Sequence, residues 1–124
     1  HQKTPIGRLS AYCGAVSAGA GSGAGIAYLS GASYDEVVHT VINAVAIISG
    51  MVCDGAKASC AAKIAEAVDA GIIGYYMAKR GQNFDDGDGI VTAGIEEKIS
   101  NVGRLAKEGM KETNDEIISI MIGS

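Results

Sequence analysis

The sequence predicts an all-α protein, a compact Gly/Ala-rich bundle of about five helices forming one domain over residues 1–124. Three observations lead there. Apolar residues make up 48% of the chain, yet there is one Phe and no Trp, so the apolar mass is Ala, Ile and Val diluted by 18 glycines. Side chains this small fill a core only if the elements approach closely. Strand-like alternation is nearly absent, and helix start and stop signals recur along the chain.

Residues 1–8 read as an extended entry broken by Pro5 and Gly7. Leu9 to Leu29 is small and apolar, compatible with a helix buried on most sides. Its five glycines from Gly14 to Gly25 each cost about 1 kcal/mol of helicity relative to Ala, so a neighbour must pack tightly against them. After a loop at Ser30-Gly31-Ala32, Ser33 and Glu36 form a capping box that starts a helix from Tyr34 to Ser49. Gly50 and Asp54-Gly55 interrupt the pattern, and a long helix runs from Ala56 to Lys79 with Ile64, Val68, Ile72 and Met77 near one stripe. Arg80 to Gly89 is a polar, Gly/Asp-rich loop. Thr92 is the expected cap of a helix from Ala93 to Leu105. Gly103 and Gly109 weaken the join to a last helix from Lys111 to Met121.

Charge excludes one class of partner. The net charge is −4, and the Arg104, Lys107, Lys111 group is interleaved with acids, so no basic stripe exists to neutralise nucleic-acid phosphates. No membrane span is expected: Val37 to Val52 is short of the roughly 20 apolar residues needed and carries His39, Asn43 and Ser49. Without a signal-peptide pattern, and with an odd number of cysteines, the expected compartment is the reducing cytoplasm. The chain opens on His rather than Met, as expected of a processed, truncated or tagged piece.

Two tempting motifs fail. Gly19, Gly21 and Ala24 match a permissive GxGxxA, but no strand precedes them and Asp35 and Glu36 come too early for the ribose-binding acid; close helix packing is the better reading. Asp86-Gly-Asp88-Gly89 resembles part of an EF-hand, but placing Gly89 at the sixth position puts Phe84 and Ile95 at the end ligands. The stretch is a solvated turn or a loop that closes over a site. His39, on an apolar helix face, reads first as a hydrogen-bonded core residue.

Cys13, Cys53 and Cys60 remain. Buried space-filling thiols are one reading, and a zinc site, with His39 as a possible fourth ligand, is another. A third rests on position. Cys53 stands at the break before Asp54-Gly55, and Cys60 lies in the first turns of the next helix, where free N–H groups favour thiolate and anionic groups. Lys57 adds positive charge, and Cys13 lies in the glycine-lined helix, where a bulky inorganic group finds room. Three thiolates on a [4Fe–4S] cluster would leave one iron open as a Lewis acid.

The stretch CDGAKASCAAK, with the upstream cysteine in RLSAYCGAVSAGAGSGAGIAYL and the downstream GDGIV and NVGRLAKEGMKETNDEIISIM, resembles the iron–sulfur-dependent L-serine dehydratase alpha-chain family, in the branch that includes L-cysteine desulfidases. The resemblance covers essentially the whole chain and matches the C-terminal part of longer proteins. It implies that Cys13, Cys53 and Cys60 hold a [4Fe–4S] cluster and that the substrate is a small amino acid, L-cysteine or L-serine. The products would be pyruvate, ammonia and sulfide or water. Asp54, Gly55, Lys57 and Ser59 are candidates for contacts to cluster or substrate, as are Asn101 and Arg104 from a later helix. Lys57 and His39 are the only candidates for a base. The expected partner is the N-terminal part of the parent protein, without which the fragment is inactive and prone to self-association. The readings from other classes are a non-catalytic helical assembly domain and a zinc-binding domain.

Overall fold

The computed structural model describes residues 13–92 and 94–123, and among them every regular element is helical. The helices are α1 (Gly14–Leu29), α2 (Tyr34–Ile48), α3 (Ala58–Lys79), α4 (Ile95–Arg104) and α5 (Lys111–Ile122), with a π-helical turn at Leu105–Gly109 joining the last two. The all-α expectation holds. The extended entry at 1–8 and the start of the first helix at 9–12 lie outside the described residues.

Glycine decides how α1, α2 and α3 meet. A Cβ on Gly23 would stand 2.7 Å from the Gly71 Cα, and one on Gly19 would run into the Ala67 carbonyl. One on Gly74 would stand 3.0 Å from the Thr40 oxygen and 3.1 Å from the Ala44 nitrogen. The backbones therefore touch along both seams, as the glycine cost in α1 requires. Gly21 and Gly25, by contrast, face open space. The pairings Gly19 with Ala67 and Gly23 with Gly71 share one offset and run in the same direction, so α1 and α3 lie parallel, with α2 returning between them.

This packing corrects the stripe read on α3. The buried residues are Ala67, Ala70, Gly71, Gly74, Tyr75 and Ala78, whereas Ile64 is 48% exposed and Val68, Ile72 and Met77 are half-buried. Large aliphatic side chains would hold the helices apart, so the small residues take the interface. The same core takes in Val102 and Ala106 from α4 and the π turn, with Ile90 and Met110 packed beside them.

Caps account for the remaining boundaries. Ser33 Oγ accepts from the Glu36 amide at 3.2 Å while the Ser33 amide donates to Glu36 Oε1 at 3.1 Å, the expected capping box. Extended Lys57, at φ −148°, delays α3 by two residues relative to expectation. Gly94, at φ 72°, is the N-cap of α4 in place of Thr92, because the chain enters that helix through a left-handed conformation open to glycine. Gly103 and Gly109 do not break the chain there; the π turn carries it onward. No described helix is long and apolar enough to cross a membrane.

Candidate thiol site and adjoining groove

Cys13 is the N-cap of α1, in extended conformation, rather than a residue within the helix as the sequence suggested. Its amide donates to the Met51 carbonyl at 3.3 Å, tying the start of α1 to the segment that follows α2. Cys53 belongs to that segment and packs against the same core cluster as Cys13. Cys60 is in the first turn of α3, its amide bonded to the Lys57 carbonyl at 2.8 Å. The parallel offset of α1 and α3 puts Cys13 level with Ala61, hence within one residue of the height of Cys60. All three cysteines are free thiols at one end of the bundle. Two helix N-termini open at that end, where the helix dipole favours anions. Among the described residues no group of three or more His, Cys, Asp or Glu stands ready to hold a metal ion.

Only Cys13 is buried; Cys53 and Cys60 are partly exposed.

Asp54 is the electrostatic centre of this end. Its carboxylate takes the Lys63 ammonium at 2.5 Å and that of Lys57 at 2.9 Å. The Lys63 hydrogen bond, and then that of Lys57, hold the Asp54 carboxyl down at about 2. Lys63 also donates to the Val52 carbonyl at 3.0 Å, so one ammonium pins both sides of Cys53 to α3. Its own pKa is raised, first by Asp54, with Cys13 and Cys53 adding to the effect. Lys63 therefore lies in the field of two thiols, a role the sequence reading missed. The available signal was its place three residues after Cys60, on the same helix face.

The other candidates divide. Gly55, at φ 102°, turns the loop under the Met121 side chain, where a Cβ would stand 3.2 Å from the methyl. Ser59 is exposed. His39 does not belong to this end. Nine residues separate it from Ile48, about 14 Å along α2. It also departs from the hydrogen-bonded core reading, since its Nδ1 is buried with no partner among the described residues.

Asn101 and Arg104 line an open groove of about 530 Å³ between the 89–92 segment and the α4–π wall. Asn101 Nδ2 donates to Thr92 Oγ1 at 3.1 Å, so the threonine expected as a cap is instead a side-chain partner across the groove. Ile90 lines the groove and, like Cys53, packs against the core cluster that contains Cys13. Of the Gly/Asp-rich loop, Gly89 lines this groove. The loop's own turn closes through the Asp85 amide on Asp88 Oδ2 at 2.8 Å.

Fold and site together define a helical, thiol-bearing domain with an open groove along α4 and the π turn. The chain belongs to the serine dehydratase alpha chain family, whose model matches residues 1–119. Similar curated proteins include a UPF0597 protein of Desulfitobacterium hafniense, 67% identical over 98% of this chain and 28% of that protein. UPF0597 proteins of Lachnoclostridium phytofermentans and Finegoldia magna are each 57% identical over 98% of this chain and 29% of theirs. The chain thus spans less than a third of the length of these relatives. No solved structure matches it.

Proposed function

We propose that this chain is the cluster-holding part of an amino-acid β-eliminating lyase, with Cys13, Cys53 and Cys60 as the protein ligands of a [4Fe–4S] cluster. The observation that carries the reading is the family match over residues 1–119. Three free thiols at one end of the bundle support it, being the soft donors that iron–sulfur clusters take. When bound through three thiolates, such a cluster supplies one iron with an open position that acts as a Lewis acid toward a leaving hydroxyl or thiol.

The chain's own residues do the holding. Lys63 fixes Cys53 through Val52 and Asp54, and its positive charge offsets that of thiolates nearby. Lys57, bound to Asp54, adds a second cation at the start of α3. The substrate is L-cysteine or L-serine, and the products are pyruvate and ammonia with sulfide or water. Within this reading the base that removes the α-proton belongs to the rest of the longer protein, because Lys57 is engaged by Asp54 and His39 stands about 14 Å along α2 from Ile48. The parent is the lyase, and the 124 residues alone do not turn over substrate.

Anaerobic reconstitution tests this directly. Iron and sulfide should each reach about four per chain, with a visible thiolate-to-iron absorption band. Cys53→Ala should remove the band and most of the iron. Zinc bound in place of iron, or a band untouched in Cys53→Ala, would sink the assignment.

A further inference from the structure

We propose that the groove between the 89–92 segment and the α4–π wall is the binding site for the carboxylate and ammonium groups of a free α-amino acid. The inference rests on the lyase reading for its ligand class, and on the groove for everything else.

A zwitterion needs a cation and a neutral donor on one side, with an acceptor a few ångströms away. The groove has that pattern. Arg104, the last residue of α4, lines the groove, and no ion pair involves it among the described residues. A guanidinium grips a carboxylate through two parallel N–H donors. Thr92 Oγ1 already accepts from Asn101 Nδ2, so its own proton is available to donate to the same carboxylate. With its Nδ2 so engaged, Asn101, which lines the groove, keeps its side-chain carbonyl oxygen as an acceptor for an ammonium. Glu108, on the groove edge and paired with Lys111 at 2.9 Å, is a second acceptor. Ile90 and Leu105 give the lining its apolar part, suited to a short side chain. The volume of about 530 Å³ falls in the range of roughly 300–1,000 Å³ usual for small-molecule sites.

The backbone gives an independent reason. Leu105, Glu108 and Gly109 line the groove from the π-helical turn, a conformation that is rare in helices and recurs at functional sites. It also sets Glu108 on the groove edge together with Arg104.

Amide NMR titration of the 124-residue chain tests the proposal. L-serine should shift the amides of Gly89–Thr92 and Asn101–Gly109 at millimolar concentration and leave α1 unmoved. Loss of the paired donors in Arg104→Gln should weaken binding by about tenfold or more, while Arg104→Lys, which keeps the charge, should lose less. 3-Hydroxypropanoate, lacking the ammonium, and 2-aminoethanol, lacking the carboxylate, should each bind more weakly than L-serine. Absent groove shifts, an Arg104→Gln variant that binds as the parent does, or 3-hydroxypropanoate binding as tightly as L-serine would each overturn the proposal. Iron and sulfide content separates the two readings. A chain that builds the cluster but ignores L-serine refutes the groove alone, and one that binds L-serine without building a cluster refutes the cluster assignment alone.

Discussion

Alanine placed at two faces of α1 should have opposite effects. A Cβ at Gly21 or Gly25 meets nothing within 4 Å, so the change should recover only helix propensity, about 1 kcal/mol for a glycine in a helix interior. At Gly23 the same Cβ would lie 2.7 Å from both the Cα and the carbonyl oxygen of Gly71. Those are backbone atoms, which cannot rotate aside. To restore carbon–carbon contact near 3.5 Å, α1 and α3 must part by about 1 Å, which also loosens the Gly19–Ala67 pairing on the same seam. Overpacking of this kind costs about 1–3 kcal/mol, and a backbone clash belongs at the upper end. Against the propensity gain of about 1 kcal/mol, the net loss at Gly23→Ala is about 2 kcal/mol. The two variants should then differ by about 3 kcal/mol, and each kcal/mol should move Tm by roughly 3–6 °C in a chain of this size. Urea and thermal unfolding followed by circular dichroism read both quantities. If Gly23→Ala proves as stable as Gly21→Ala, the helices do not meet backbone to backbone and the parallel offset that levels Cys13 with Cys60 falls with the seam.

Asn43, fully buried, donates to the Gly74 carbonyl and Asn83 and accepts from the Phe84 amide; Asn43→Ala should cost about 2–4 kcal/mol in urea unfolding, and an unchanged midpoint would show the network to be dispensable. Asp54, with its carboxyl held at about 2 by Lys63 and Lys57, is a group of depressed pKa. Its contribution should be complete above the ordinary carboxylate range and lost only as pH falls toward about 2. A carboxyl-carbon NMR titration with an ordinary midpoint would show that the lysines do not hold it. Lys63→Met should speed hydrogen exchange at the amides of residues 52–55 while leaving those of α2 unaffected, because the ammonium bridges Val52 and Asp54 to α3; unchanged exchange would mean the loop is held by other contacts.

The elements that depend on neighbours in sequence were legible without a structure. Ser33 and Glu36 start α2 through a local pair of hydrogen bonds, and Asp-Gly and Gly-rich stretches mark the loops because those residues bias their own backbone. The glycine cost in α1 correctly demanded close packing. What hydropathy could not rank was which side of α3 faces inward. It scores Ile64 above Gly71, yet at a seam where backbones touch the glycine is buried and the isoleucine is not. Likewise the sequence put His39 on the list of possible bases, and the length of α2 removes it from the thiol end.

The sequence by itself determined the helical class, the glycine-driven tightness, the three thiols and their neighbouring Asp54 and Lys57. Each of these follows from residue type and local spacing. Only the tertiary structure decided that Cys13 and Cys60, far apart in the chain, stand at one height, that Lys63 joins both sides of Cys53, and that Asn101 meets Thr92 across a groove. Those relations depend on the register between α1 and α3 and on the route of the chain after α3. Register is set where Gly19, Gly23 and Gly71 let two backbones touch, and that contact involves atoms every residue shares.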